Sequence, residues 1–203
     1  MISHEHKFIF IHIPKCGGTS IEWAFNAWDD NDIFFVGGGK QHWFLEQIIT
    51  AKPESKDYTS FAFIRNPFSR IVSEYKYAKK ESHNNCNHIK SNSSLDLSFK
   101  EFCKDLKNNL KHYCYEFHGK SLCDYLLNTD GSEKVNHIGR LENFQEDFNT
   151  ICHKIGIPQK KLPHAFKSDC KKHYTEYYDD ETREIVAEKY AKDIEYFGYK
   201  FGE

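Results

Sequence analysis

The sequence predicts an α/β protein whose central sheet is mainly parallel and flanked by helices. Three short apolar runs carry that expectation, at residues 8–13, 33–36 and 60–64, and each is followed by a stretch with helical spacing of its apolar residues. The first run, Phe8-Ile-Phe-Ile-His-Ile13, is apolar or aromatic except at His12, which suits a strand covered on both faces, as parallel strands are. Each run also stops abruptly in glycines or in a helix-starting residue, the punctuation of strand-to-helix units. At 203 residues the chain fits one domain, 1–203, with a polar and helical insertion around 79–134.

Composition narrows the classes of function. With 28 basic and 30 acidic residues the formal charge is −2, so no global field marks a nucleic-acid or membrane-surface binder, and any anion site is local. The apolar runs are too short to span a bilayer, and residues 1–7 lack the apolar core of a signal peptide. Seven cysteines, an odd number, favour free thiols in a reducing compartment, and the expected location is cytoplasmic. Seventeen Phe and 12 Tyr against one Met predict a core built largely of aromatic packing.

The first strand ends at Pro14. Gly17 and Gly18 then permit a tight turn, and Thr19 and Ser20 open a helix marked by Ile21, Phe25 and Trp28. Backbone N–H groups of such a turn and the positive end of the helix dipole converge on a phosphate or sulfate. A nucleotide-hydrolase loop places its lysine after the glycines, whereas Lys15 precedes them. A Gly-Gly turn beside an exposed lysine is the structural alternative. The order Pro14-Lys15-Cys16-Gly17-Gly18-Thr19-Ser20 resembles the 5′-phosphosulfate loop of the sulfotransferases that use 3′-phosphoadenosine 5′-phosphosulfate.

The second run, Ile33–Val36, leads through Gly37-Gly38-Gly39 to His42, after which Phe44, Leu45, Ile48 and Ile49 mark a helix up to Pro53. His42 thus follows a strand near a helix start, a junction that lies at the ligand edge of an open α/β sheet. A capping or surface histidine is the alternative. The third run ends in Arg65-Asn66-Pro67, with Asn66 suited to the N-cap and Pro67 to the first helical position. Ile71, Val72 and Tyr75 form the buried side of that helix, and Ser69 and Ser73 share a face beside Arg65. A magnesium-dependent kinase needs a carboxylate where this strand ends in arginine, and a guanidinium with a serine hydroxyl suits a phosphate. The stretch Arg65 to Tyr77 resembles the 3′-phosphate motif of the same family, which puts that role on Arg65 and Ser73. Arg70 is expected to be a structural ion-pair residue.

Residues 79–98 read as an exposed polar loop, in which the spacing of His83, Cys86 and His88 fits no compact zinc pattern. Ser98 and Glu101 make a capping box, and Phe99, Phe102, Leu106 and Leu110 make an apolar helix stripe. Val135–Ile138 is a last strand candidate, followed by a helix with Phe144, Phe148, Ile151 and Ile155 and stop signals at Gly156 and Pro158. Between Gln159 and His173, five lysines face one acid, and Lys167 and Ser168 lie within that basic patch. Gly139-Arg140-Leu141-Glu142-Asn143-Phe144, and the tail from Tyr177 to Phe201, resemble the carbohydrate-type sulfotransferases.

That resemblance implies a P-loop-like three-layer fold and transfer of a sulfuryl group from 3′-phosphoadenosine 5′-phosphosulfate to an acceptor hydroxyl, first of all on a carbohydrate. The product would be adenosine 3′,5′-bisphosphate. It also implies that Lys15 and the N–H groups from Cys16 through Gly17, Gly18, Thr19 and Ser20 hold the 5′ side, that Arg65 and Ser73 hold the 3′-phosphate, and that Lys167 and Ser168 cover the anion. His42 would be the general base, with Glu46 as competitor, and no metal is required. A nucleotide or small-molecule kinase and a non-catalytic nucleotide-binding module are the other two classes.

Overall fold

The computed structural model describes residues 1–26, 33–34, 41–83, 97–107, 117–163 and 172–203. Within them the chain forms two compact units: Met1–Arg65 with Leu122–Lys167, and Asn66–Ser121 with Ser168–Glu203.

The first unit is built on strands β1 (Ile2–Ser3), β2 (Phe8–Ile11), β3 (Ile33–Phe34), β4 (Thr59–Ile64) and β5 (His137–Arg140), in the order β3-β1-β2-β4-β5. β2 pairs in parallel with β4, and β4 with β5, while β1 runs antiparallel to both β2 and β3. The sheet is therefore mixed, with β1 alone reversed among the described strands. Helices α1 (Gly18–Ala24), α2 (Leu45–Ala51), α5 (Leu122–Leu126) and α6 (Phe144–Ile155) belong to this unit.

Alternation along the strands divides the sheet into two faces. Phe8, Phe10, Phe61 and Phe63 share one face, where Phe8 meets Phe25 at 5.0 Å, Phe25 meets Phe148 at 5.9 Å and Phe63 meets Phe144 at 5.0 Å. α1 and α6 are thereby anchored on that side. Ile9 points to the other face, where it lines a cleft with Leu45 and Ile49 of α2. β2 is buried along its whole length, which is why its sequence is almost unbroken in apolar residues.

β5 lies at 137–140, two residues beyond the expected 135–138. The reason lies across the ladder: Gly139 is paired with Phe63, and a Cβ on Gly139 would stand 2.5 Å from that ring. The glycine belongs inside the strand because it makes room for the phenylalanine. Val135, read as a strand residue, is buried ahead of the strand.

The second unit holds α3 (Pro67–His83), α4 (Phe99–Lys107), α7 (Asp180–Lys189) and α8 (Ala191–Phe197). Asn66 Oδ1 accepts from the Phe68 N–H at 3.1 Å, and its amide donates to the Lys200 carbonyl at 2.8 Å, so the cap of α3 also fastens the tail. The core joins Phe68, Ile71, Val72, Phe102, Leu106, Val186 and Tyr190. The Ser98–Glu101 capping box is present at 2.7 Å, whereas Leu110 of the expected stripe lies outside the described residues. Arg70 is structural: it is 1% exposed and donates to the Lys120 oxygen at 2.9 Å and the His118 oxygen at 3.3 Å. α3 continues to His83, into the stretch expected to be a loop. Lys79, Lys80 and Glu81 are good helix formers, and their polarity is as common in helices as in loops. Cys86 and His88 lie outside the described residues.

Candidate active site

The parallel pairing of β2 and β4 sets their carboxyl ends side by side, Ile11 opposite Ala62, so the residues that follow each strand emerge at one edge of the sheet. After β2 comes the loop at 14–20. Lys15 takes φ 63° and Gly17 φ 86°, both left-handed, and Gly17 is the N-cap of α1. Such alternation turns successive N–H groups to one side and makes a concavity suited to an anion. A left-handed lysine is rare and costs backbone strain on the order of 1–3 kcal/mol, so neighbouring contacts must hold it.

Those contacts are specific. The Cys16 N–H donates to the Ile13 carbonyl at 3.3 Å, its thiol lies 3.5 Å from the Pro14 carbonyl, and its side chain is buried beneath the loop. The Ser20 N–H closes on the Gly17 carbonyl at 3.0 Å, while Gly18 and Thr19 stand at the opening turn of α1. Both glycines are required. At Gly17 a Cβ would meet Phe144 at 2.7 Å and Leu141 at 2.8 Å, and at Gly18 one would stand 2.1 Å from the ring of His12.

Arg65, the residue after β4, donates from Nη1 to the Lys15 carbonyl at 3.3 Å, which brings its guanidinium against the loop. His42 is 9% exposed, and its Nδ1 lies 2.9 Å from the His12 carbonyl. A carbonyl only accepts, so Nδ1 carries a proton, and whenever the ring is neutral the lone pair lies on Nε2. The loop, Arg65 and His42 are thus brought together within the first unit. Ser73 sits half-buried on α3 in the second unit, and Lys167 and Ser168 lie outside the described residues.

Glu46 is poorly suited to compete with His42. It is exposed and paired with Lys134 at 2.7 Å. Partial burial pushes its carboxyl up, but the hydrogen bond and charge of Lys134 outweigh that effect, and the net shift is downward. A carboxylate held in that way is a weaker proton acceptor.

Two residues near the loop were missed in the sequence. His12 Nδ1 lies 2.6 Å from Glu22 Oε1, both side chains are buried, and the rings of His12 and His42 meet edge to face at 4.6 Å and 82°. The available signal was the single polar residue in an apolar strand and a glutamate on the buried side of the next helix, four residues after Gly18.

Comparison with known proteins points one way. The sequence model of the sulfotransferase family matches residues 1–200, and an uncharacterised protein of Archaeoglobus fulgidus is 33% identical over 103 residues, 51% of this chain and 72% of that one. No solved structure matches. A match over nearly the whole length, on a chain whose strand β2 runs into a lysine-glycine loop, establishes that this protein belongs to the sulfotransferase family.

Proposed function

We propose that the protein transfers a sulfuryl group from 3′-phosphoadenosine 5′-phosphosulfate to an acceptor hydroxyl, with a carbohydrate as the first acceptor to test. The observation that carries this reading is the grouping of the strained loop, Arg65 and His42 at one sheet edge. The tight turn that would present N–H groups to the donor's anionic groups depends on Gly17 and Gly18, where a side chain would collide with Phe144 or His12. The strand-loop-helix β2–α1 is accordingly read as P-loop-like, and 1–203 as a single sulfotransferase domain.

The donor, when bound, supplies the sulfuryl group and leaves as adenosine 3′,5′-bisphosphate. Lys15 neutralises the charge that builds on the departing phosphate, and the N–H groups of Gly17, Gly18 and Thr19 orient the 5′ end. Cys16 and Ser20 hold the turn in shape, with the Ser20 hydroxyl added to the anion's surroundings. Arg65 and Ser73 are assigned to the 3′-phosphate, and Lys167 and Ser168 to covering the anion, from the sequence resemblance. His42 removes the acceptor proton through Nε2, its other nitrogen being committed to the His12 carbonyl. The scheme uses no metal, since Lys15 and Arg65 provide the positive charge. The carbohydrate acceptor is supported by the motif from Gly139 to Phe144, in which the Arg140 N–H is held by Asp147 at 2.6 Å. A cytoplasmic location agrees with the buried free thiols of Cys103 and Cys152. Among the described residues no helix is long and apolar enough to cross a membrane.

The test is a calorimetric comparison of adenosine 3′,5′-bisphosphate with 5′-AMP. Loss of a charge-assisted phosphate contact costs about 1.5–3 kcal/mol, so the bisphosphate should bind roughly ten- to a hundredfold more tightly. Equal affinities would overturn the assignment, and magnesium-dependent ATP binding would favour the kinase.

A further inference from the structure

His12 and Glu22 take no direct part in the chemistry just described, yet they lie at its centre. They are 4% and 1% exposed, and Glu22 Oε1 holds His12 Nδ1 at 2.6 Å. The second carboxylate oxygen, Oε2, is buried without a hydrogen-bond partner among the described residues. A buried pair left partly unsatisfied is poorly explained as a stabilising device, because desolvation offsets much of its attraction. Its contacts suggest another role. The His12 ring lies directly against Gly18 of the loop and packs edge to face with the His42 ring, centroids 4.6 Å apart, and the His12 carbonyl accepts from His42 Nδ1.

We infer that Glu22 and His12 are positioning residues acting through His42. Glu22 fixes the orientation of the His12 imidazole, and that ring, together with the His12 carbonyl, holds His42 in the Nδ1–H tautomer, which makes Nε2 its basic nitrogen. The kinetic part of this inference rests on the sulfuryl-transfer reading; the structural part does not. Positioning errors of about 1 Å can cost on the order of a hundredfold in rate, which sets the scale expected here.

The informative variant is His12→Asn in the full chain. The asparagine amide stands where Nδ1 stood and keeps a donor for Glu22, but it removes the ring against His42. Turnover should fall by roughly ten- to a hundredfold while adenosine 3′,5′-bisphosphate affinity stays unchanged. In a His42→Ala background, itself expected to lose about 10²–10⁴ in rate, the same substitution should cost nothing further. Equal losses in both backgrounds would overturn the inference. Ring-nitrogen NMR of His42 provides a readout independent of activity: one tautomer is expected in the parent, and two exchanging tautomers in His12→Asn, where the carbonyl remains but the ring that seats His42 against it is gone. A single tautomer in both would reject the inference even if the chain transferred no sulfuryl group, whereas failure of the functional reading would show as absent transfer and no 3′-phosphate preference in the parent. If His12→Asn does not fold, Glu22→Gln tests the same two readouts, with smaller changes expected in the same directions and no change overturning the inference.

Discussion

Gly18→Ala separates helix propensity from packing, because the two push in opposite directions. Gly18 opens α1, and alanine in a helix is favoured over glycine by up to about 1 kcal/mol. The new methyl, however, would stand 2.1 Å from His12 Cδ2 and 2.2 Å from its Nε2. Overpacking of this kind costs about 1–3 kcal/mol, and rotating His12 away would instead break a charge-assisted bond of about 1.5–3 kcal/mol to Glu22. The clash therefore exceeds the propensity gain, and the variant should be less stable by about 1–2 kcal/mol. For a chain of this length that corresponds to a drop of about 2–8 °C in Tm, measurable by circular dichroism or by urea titration. In a His12→Ala background the same substitution should become neutral or stabilising. A parent-background midpoint at or above that of the unmodified chain would refute the argument, as would an undiminished penalty once His12 is gone.

Two other outcomes follow from the same geometry and from the thiols. On the proposed mechanism Lys15→Ala should lower turnover more than it weakens binding of adenosine 3′,5′-bisphosphate, since that mechanism uses its charge as the leaving oxygen becomes anionic; weak binding with normal turnover would make it a binding residue only. Burial, with the Asp179 charge adding to it, pushes the Cys103 thiol from the ordinary 9.0 up to about 12. Above pH 9 the unfolded chain then releases a proton that the folded chain keeps, so this group makes stability fall as pH rises towards 12. Urea midpoints of the parent should accordingly decline more steeply between neutral and alkaline pH than those of Cys103→Ser, and parallel declines would contradict the assignment.

What could be read in advance depended on whether a feature leaves a periodic mark. β2 and β4 were legible because both are buried along most of their length, and α6 because Phe148 and Ile151 repeat at helical spacing. β1 has two residues, too few for any period to show, and its pairing with β2 comes from the chain doubling back rather than from composition. The boundary of β5 was misplaced because glycine argues against strand interiors unless a cross-strand ring needs its space, as Phe63 does at Gly139. In the site, Lys15 and Arg65 announced themselves by following apolar runs. The His12–Glu22 pair did not, since a contact between a strand and the next helix has no fixed spacing, and only the oddity of a polar residue in an apolar strand pointed to it. Glu46 looked available until Lys134, far along the chain, proved to be its partner.

Both units are assembled from separated lengths of chain, and this constrains the order in which the protein can be made. β4 emerges from the ribosome early, yet the edge that β5 occupies stays open until residues 137–140 have been synthesised. Throughout that interval β4 exposes unpaired backbone groups, while the intervening 66–121 waits for the core it shares with α7, whose residues are synthesised later than those of β5. Parallel pairing across such separations closes late and slowly. Nascent chains should therefore acquire protease resistance in two late steps, the first after β5 has cleared the exit tunnel and the second after α7 has done so.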